Sequence, residues 1–149
     1  METICFDTKT NAQTTQFAMG TVMVHKAYGM NAEVCLEAVV REIEWIERHL
    51  SRFLPLSDVW RINENAGKEM VPVREETIEV LEKSAKISRF CKGAFDVTIT
   101  PLVETWGIGK STFSQPDKFM IEKSLQLVNS EDILLDSAAM GMNIVEREG

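Results

Sequence analysis

The sequence predicts an α+β fold, a largely antiparallel sheet with two or more amphipathic helices packed on one face. An early stretch alternates apolar with polar residues, two long segments carry apolar residues at helical spacing, and short apolar runs return near the end. With 149 residues, 44% hydrophobic and 26% charged, the chain suits one soluble domain with a real core.

The stretch "GTVMVHKAY" (20–28), with Val22 and Val24 as alternating apolar members, reads as a strand entering a turn at Gly29. Asn31 is the predicted cap of a long helix with Leu36, Val39, Val40, Ile43, Ile46 and Leu50 on one face. Glu37 with Arg41, and Glu44 with Arg48, form its solvated side, and Pro55 with the polar run after it stops the helix. A second amphipathic helix spans 75–93, with Ile78, Leu81, Ala85 and Cys91 inward and Gly93 as C-cap. "TPLVETW" reads as a short helix or turn, 117–128 as a third helix after Pro116, and 133–136 and 142–146 as strands. The chain stops just after this last strand, which predicts an exposed sheet edge and apolar surface that favour self-association.

Several function classes are disfavoured. A net charge of −7 without a local Lys/Arg cluster repels polyanions, so no nucleic acid partner is expected. Cys5, Cys35 and Cys91 are odd in number and lack a C-x-x-C pair, and are read as buried free thiols in a reducing compartment. No basic-then-apolar leader and no run near the ~20 apolar residues of a membrane span is present, which predicts a cytoplasmic location. "GIGKST" (107–112) mimics the end of a phosphate-binding loop, but position 104 is Glu104 and the preceding residues are not a strand. Lys110 is read as a solvated surface charge, and His25 and His49 as structural.

Three segments are not explained by periodicity. In "FAMGT" (17–21) a glycine sits at a strand mouth, either as simple strand entry or as part of a site. The loop "LSRFLPLSDVWRINENAG" (50–67) is rich in serine, asparagine and aromatics; Asn63 and Asn65 suit Asx turns and Gly67 a positive φ. In "GAFDVTITPLVETWG" (93–107), Asp96 either caps the following short helix or serves a ligand.

Taken together, in this order and spacing, they resemble the N-terminal half of the ApbE family, the FAD:protein FMN transferases, from about Phe17 to the chain end. The resemblance implies an ApbE-like, T-fold-like domain over 17–149 behind an N-terminal extension of 1–16. It implies splitting of the FAD pyrophosphate, release of AMP and attachment of FMN to a threonine or serine of a target flavoprotein, with Mg²⁺ neutralising phosphate charge. FAD contacts carry over to Met19, Phe53, Ala94, Phe95 and Asp96; Phe53 departs from the tyrosine common there and lacks its hydroxyl. Gly107 and Gly109 then belong to a turn leaving the FAD loop. The family's D-L-G-G segment, its histidine segment and its metal-binding Asp and Thr pair are not found in these residues, so neither metal ligands nor a catalytic residue are assigned. The expected partners are FAD, the target flavoprotein, and either a second copy or a complementing C-terminal half. The alternative is a non-catalytic FAD-binding or protein-interaction module.

Overall fold

The computed structural model describes residues 11–109, 115–136 and 141–144. Its elements are β1 (Asn11–Ala18), β2 (Thr21–Tyr28), α1 (Ala32–Leu50), α2 (Asp58–Glu64), β3 (Val71–Pro72), α3 (Glu75–Phe90), α4 (Thr100–Thr105), α5 (Lys118–Leu125), a 3-10 turn at Ser130–Asp132, β4 (Ile133–Asp136) and β5 (Gly141–Ile144). The α+β class and the antiparallel pairing agree with expectation. The described strands form two sheets, β1-β2 and β3-β5-β4, rather than one, and the chain divides into units 1–60 and 61–149.

In the first unit, β1 and β2 form a hairpin from Asn11↔Tyr28 to Ala18↔Thr21. Residues 11–16 belong to β1. An alternating strand normally buries its apolar members, yet Val22 and Val24 are exposed, beside Phe17 and Tyr28 on the same outer face. The inward face carries Ala12, Thr14, Gln16, Ala18, Met23, His25 and Ala27, with small residues at its two ends and longer side chains between them. Along α1, Ala32 and Leu36 are buried and Val40, Ile43, Ile46 and Leu50 half-buried, whereas Val39 is exposed and leaves the predicted stripe. Asn31 occupies the N-cap position without a side-chain cap bond; the Gly29 and Asn31 carbonyls accept the first helical amides instead. The helix ends at Leu50, well before Pro55, as Ser51 turns extended.

The expected irregular loop 50–67 contains a helix. Ser57 caps α2 by accepting the Trp60 amide at 3.0 Å, and its own hydroxyl donates to the Ser51 carbonyl. Gly67 does adopt a positive φ of 73°, and its amide donates to the Ile144 carbonyl.

The second unit is built around Ile62, Val71, Val73, Ile78 and Met142, with Leu81, Ile133, Leu135 and Ile144 packed against them. Leu135 and Val71 both pair with Met142, so β5 is the central strand of its sheet and not the bare edge expected. A two-residue β3 containing Pro72 was too short to show as a periodic signal. On α3 the inward face includes Thr77, Ser84 and Ser88 as well as Ile78, while Ala85 and Cys91 are half-buried. Ser84 satisfies its hydroxyl on the Val80 carbonyl and Ser88 on the Ser130 hydroxyl, 2.8 Å away in each case. Gly93 is not the residue that closes α3. Lys92 amide to Arg89 carbonyl and Gly93 amide to Ser88 carbonyl form a Schellman closure with Lys92 left-handed, φ 54°.

Helix α4 closes the same way on Gly107, φ 63°, with the Ile108 amide on the Val103 carbonyl. The segment ahead of "GIGKST" is therefore helical, as the rejection of a phosphate loop requires; Lys110 lies outside the described residues. Asp117 caps α5 by accepting the Met120 amide at 2.8 Å. Cys35 is an exposed free thiol, correcting the expected burial, and Cys91 is half-buried and free; Cys5 lies outside the described residues. Among the described residues no helix is long and apolar enough to cross a membrane.

On the surface of α3, Lys83 donates to Glu79 at 2.6 Å, and that bond, then the ammonium charge, holds the Glu79 carboxyl below the usual glutamate range. Its small contribution is present above that range and is lost as pH falls through the lowered value. Met142, 1% exposed, is the better lever on stability. Met142→Ala is expected to lose about 2–5 kcal/mol in urea unfolding; a loss below about 1 kcal/mol would show that the second unit's core lies elsewhere.

Candidate functional site

Met19 and Gly20 are the two central residues of the β1–β2 turn, with φ of 52° and 73°. Positive φ at both positions is the signature of a type I′ hairpin turn, whose twist matches the flanking strands. The Met19 amide donates to Glu47 Oε1 at 2.7 Å, which ties the turn to the last turns of α1. Beyond α1, the Ser51 and Ser57 hydroxyls brace the corner that carries Phe53: Ser51 Oγ accepts the Phe53 amide at 3.2 Å.

Turn, helix end and corner enclose a cleft of about 370 Å³ in the first unit. Met19, Ile46, Leu50 and Phe53 supply apolar walls; Glu47 and Arg52 supply charge. The Arg52 guanidinium carbon sits 4.3 Å from the Phe53 ring centroid, a cation–π contact that leaves the other ring face for a ligand. Met19 and Phe53 are 48% and 74% exposed, so both present apolar surface that a flat ring could cover. The structure thus brings Met19 and Phe53 into one cleft, though 34 residues of chain, counted from 19 to 53, separate them.

Ala94, Phe95 and Asp96 follow the Schellman closure of α3 in the second unit. Ala94 and Phe95 are exposed, and the Phe95 amide lies 3.2 Å from Cys91 Sγ. Asp96 is half-buried and heavily engaged. Its Oδ1 accepts from the Thr98 amide at 2.8 Å and the Thr98 hydroxyl at 2.6 Å, and its Oδ2 accepts from the Ser130 amide at 2.9 Å. Thr98 Oγ1 in turn accepts the Asn129 amide at 2.8 Å. The carboxylate therefore staples the 94–98 loop to the segment before β4, a role that neither helix capping nor ligand binding had suggested. A hollow of about 380 Å³ opens here, lined in part by Ser88, Lys92, Gly93, Asp96, Asn129 and Ser130. His49 Nδ1 is 2.8 Å from the Trp45 carbonyl, with its ring against Trp45, and His25 lies within β2 with its Nε2 buried and unpartnered among the described residues.

Sequence reasoning missed Glu47. A signal was available, because Glu47 stands four residues after Ile43 and three before Leu50 and so interrupts the apolar stripe of α1 with a charge.

The engagement of Asp96 ties it to the fold of the second unit. Asp96→Ala is expected to lose about 1–3 kcal/mol in urea unfolding, because the Thr98 and Ser130 amides lose their acceptor, with Asp96→Asn losing less. An Asp96→Ala protein of unchanged stability would remove the staple.

The ApbE family model matches residues 19–149. An FAD:protein FMN transferase of Klebsiella pneumoniae (strain 342) is 30% identical over 118 residues, covering 79% of this chain and 37% of that protein. Among solved structures, the ApbE protein of Thermotoga maritima superposes with a TM-score of 0.81 at 25% identity, covering 91% of this chain and 45% of that one. The apo Pseudomonas stutzeri flavinyl transferase ApbE gives a TM-score of 0.76 at 24% identity, over 91% of this chain and 44% of that one, a likeness of fold. The chain thus spans well under half the length of each of these relatives. Motif order, fold and family match agree: this chain belongs to the ApbE family.

Proposed function

We propose that this chain supplies the flavin-holding part of an FAD:protein FMN transferase. In that reaction a threonine or serine hydroxyl of a target flavoprotein attacks the FMN-side phosphorus of FAD; the pyrophosphate P–O bond breaks, AMP leaves, and the hydroxyl proton goes to a base outside the residues assigned here. The observation that carries the reading is the convergence of Met19 and Phe53 on one apolar cleft of about 370 Å³, within the range of small-molecule sites. In this reading the isoalloxazine ring lies against Met19 and the free face of Phe53, while Ala94, Phe95 and Asp96 are further FAD contacts. With two of its three hydrogen bonds made to backbone amides, Asp96 would act mainly by shaping its loop.

Mg²⁺ is the expected charge-neutralising ion of such a transfer. Among the described residues no three His, Cys, Asp or Glu side chains gather where they could hold it, so its ligands would come from outside those residues. This favours a second reading in which the chain binds FAD without catalysis unless a complementing polypeptide, or a second copy, completes the site. A cytoplasmic setting belongs to the same proposal.

Titration of the purified chain with FAD, followed by flavin fluorescence with and without Mg²⁺, separates these outcomes. Saturable binding independent of Mg²⁺ is expected, with Phe53→Ala raising the apparent Kd about tenfold through loss of the aromatic contact. Absence of saturable binding would overturn the reading of the cleft as a flavin site. AMP release on adding a target flavoprotein would mark a complete transferase, and binding without release the non-catalytic reading.

A further inference from the structure

The turn at Met19 is unusual for its residue. Two-residue hairpin loops with both central φ positive favour Asn-Gly or Gly-Gly, because an ordinary L-residue in the left-handed region is strained by about 1 kcal/mol or more. Met19 occupies the first central position at φ 52°, in a hairpin that has no third strand among the described residues. Two-stranded hairpins are marginal in isolation; this one packs on α1, but that packing acts on the strands and leaves the strained turn at its tip to be supported separately.

That support is visible in one contact. Glu47 Oε1 accepts the Met19 amide at 2.7 Å across 28 residues of sequence. An ionised acceptor makes such a bond shorter and about twice as strong as a neutral one. Glu47 is half-buried on the apolar stripe of α1 and lines the same cleft as Met19. A charge on that stripe is hard to account for by packing, yet it is well placed to hold this amide.

We propose that Glu47 is a positioning residue. By accepting the Met19 amide it holds the left-handed turn against the end of α1, and so fixes the Met19 side chain at the lip of the cleft opposite Phe53. The role in ligand binding rests on the flavin reading above; the hold on the turn does not. Asparagine at position 19 would suit the turn better; the methionine side chain instead lines the cleft, and Glu47 offsets the strain.

Two readouts on Glu47→Ala and Glu47→Gln separate the hold from its consequence: amide hydrogen exchange at Met19 without ligand, and the Kd for FAD. Glu47→Ala is expected to speed Met19 exchange about tenfold or more and to raise the Kd by a similar factor, as loss of one charge-assisted bond implies. Glu47→Gln keeps an acceptor oxygen and is expected to restore most of both. Unchanged Met19 exchange in Glu47→Ala overturns the proposal. If the wild-type chain does not bind FAD while Glu47→Ala still frees the Met19 amide, the flavin reading fails and the hold on the turn is supported. Should Glu47→Ala not fold, the same change in a Met19→Gly background, where glycine takes the turn without a brace, is expected to fold. Failure there too would make Glu47 a structural residue of α1 and overturn its positioning role.

Discussion

The hydrogen bond from the Met19 amide to Glu47 is the constraint on which the first unit depends. The β1–β2 hairpin meets α1 through a face on which Ala12, Ala18, Met23 and Ala27 are the apolar members and Thr14, Gln16 and His25 lie among them, so little apolar area is buried there. Its larger apolar residues, Phe17, Val22, Val24 and Tyr28, lie on the other face. Packing alone is therefore a weak guide to where the hairpin tip rests along α1. A directional, charge-assisted bond at that tip supplies the missing specification, and the cleft exists because the tip is held beside the corner that carries Phe53.

The second unit solves a related problem with polar groups. Its loop 93–98 begins exposed at Gly93, Ala94 and Phe95 and becomes half-buried from Asp96 onward. Asp96 binds it to Thr98 and Ser130, Thr98 passes the connection to Asn129, and Ser88 on α3 meets Ser130 from the helix side. Lys92, left-handed at the helix end, aims the chain into this loop. Met19 and Lys92, non-glycine residues in the left-handed region, lie at or two residues before positions that the family resemblance links to FAD.

Much of this was legible in the sequence. Helical spacing located α1, α3 and α5, and Gly107 was correctly read as part of a turn. What stayed hidden depends on contacts between residues distant in the chain. Alternation in "TVMVHKAY" marks a strand but cannot say which face meets a helix; here Met23, His25 and Ala27 turn inward and the valines outward. Short elements such as β3 and α2 carry too few residues for a period, although Ser57 was a readable cap. Buried Ser84 and Ser88 read as polar interruptions of α3 until their partners, Val80 and Ser130, are seen. The candidate FAD contacts were drawn from the family resemblance, whereas Glu47 lies outside its motifs and emerged only from the geometry.

The central claim is that the cleft beside the hairpin tip receives the flavin ring. Methyl resonances report this directly, because a ring stacked on a methionine methyl shifts its signal. The most direct measurement is the methyl spectrum of the methionines during titration with FAD. The account predicts a saturable shift at Met19, accompanied by the Phe53 ring, with Met142 in the second unit's core unaffected. Saturable FAD binding that leaves Met19 and Phe53 unshifted would contradict it and place the flavin elsewhere.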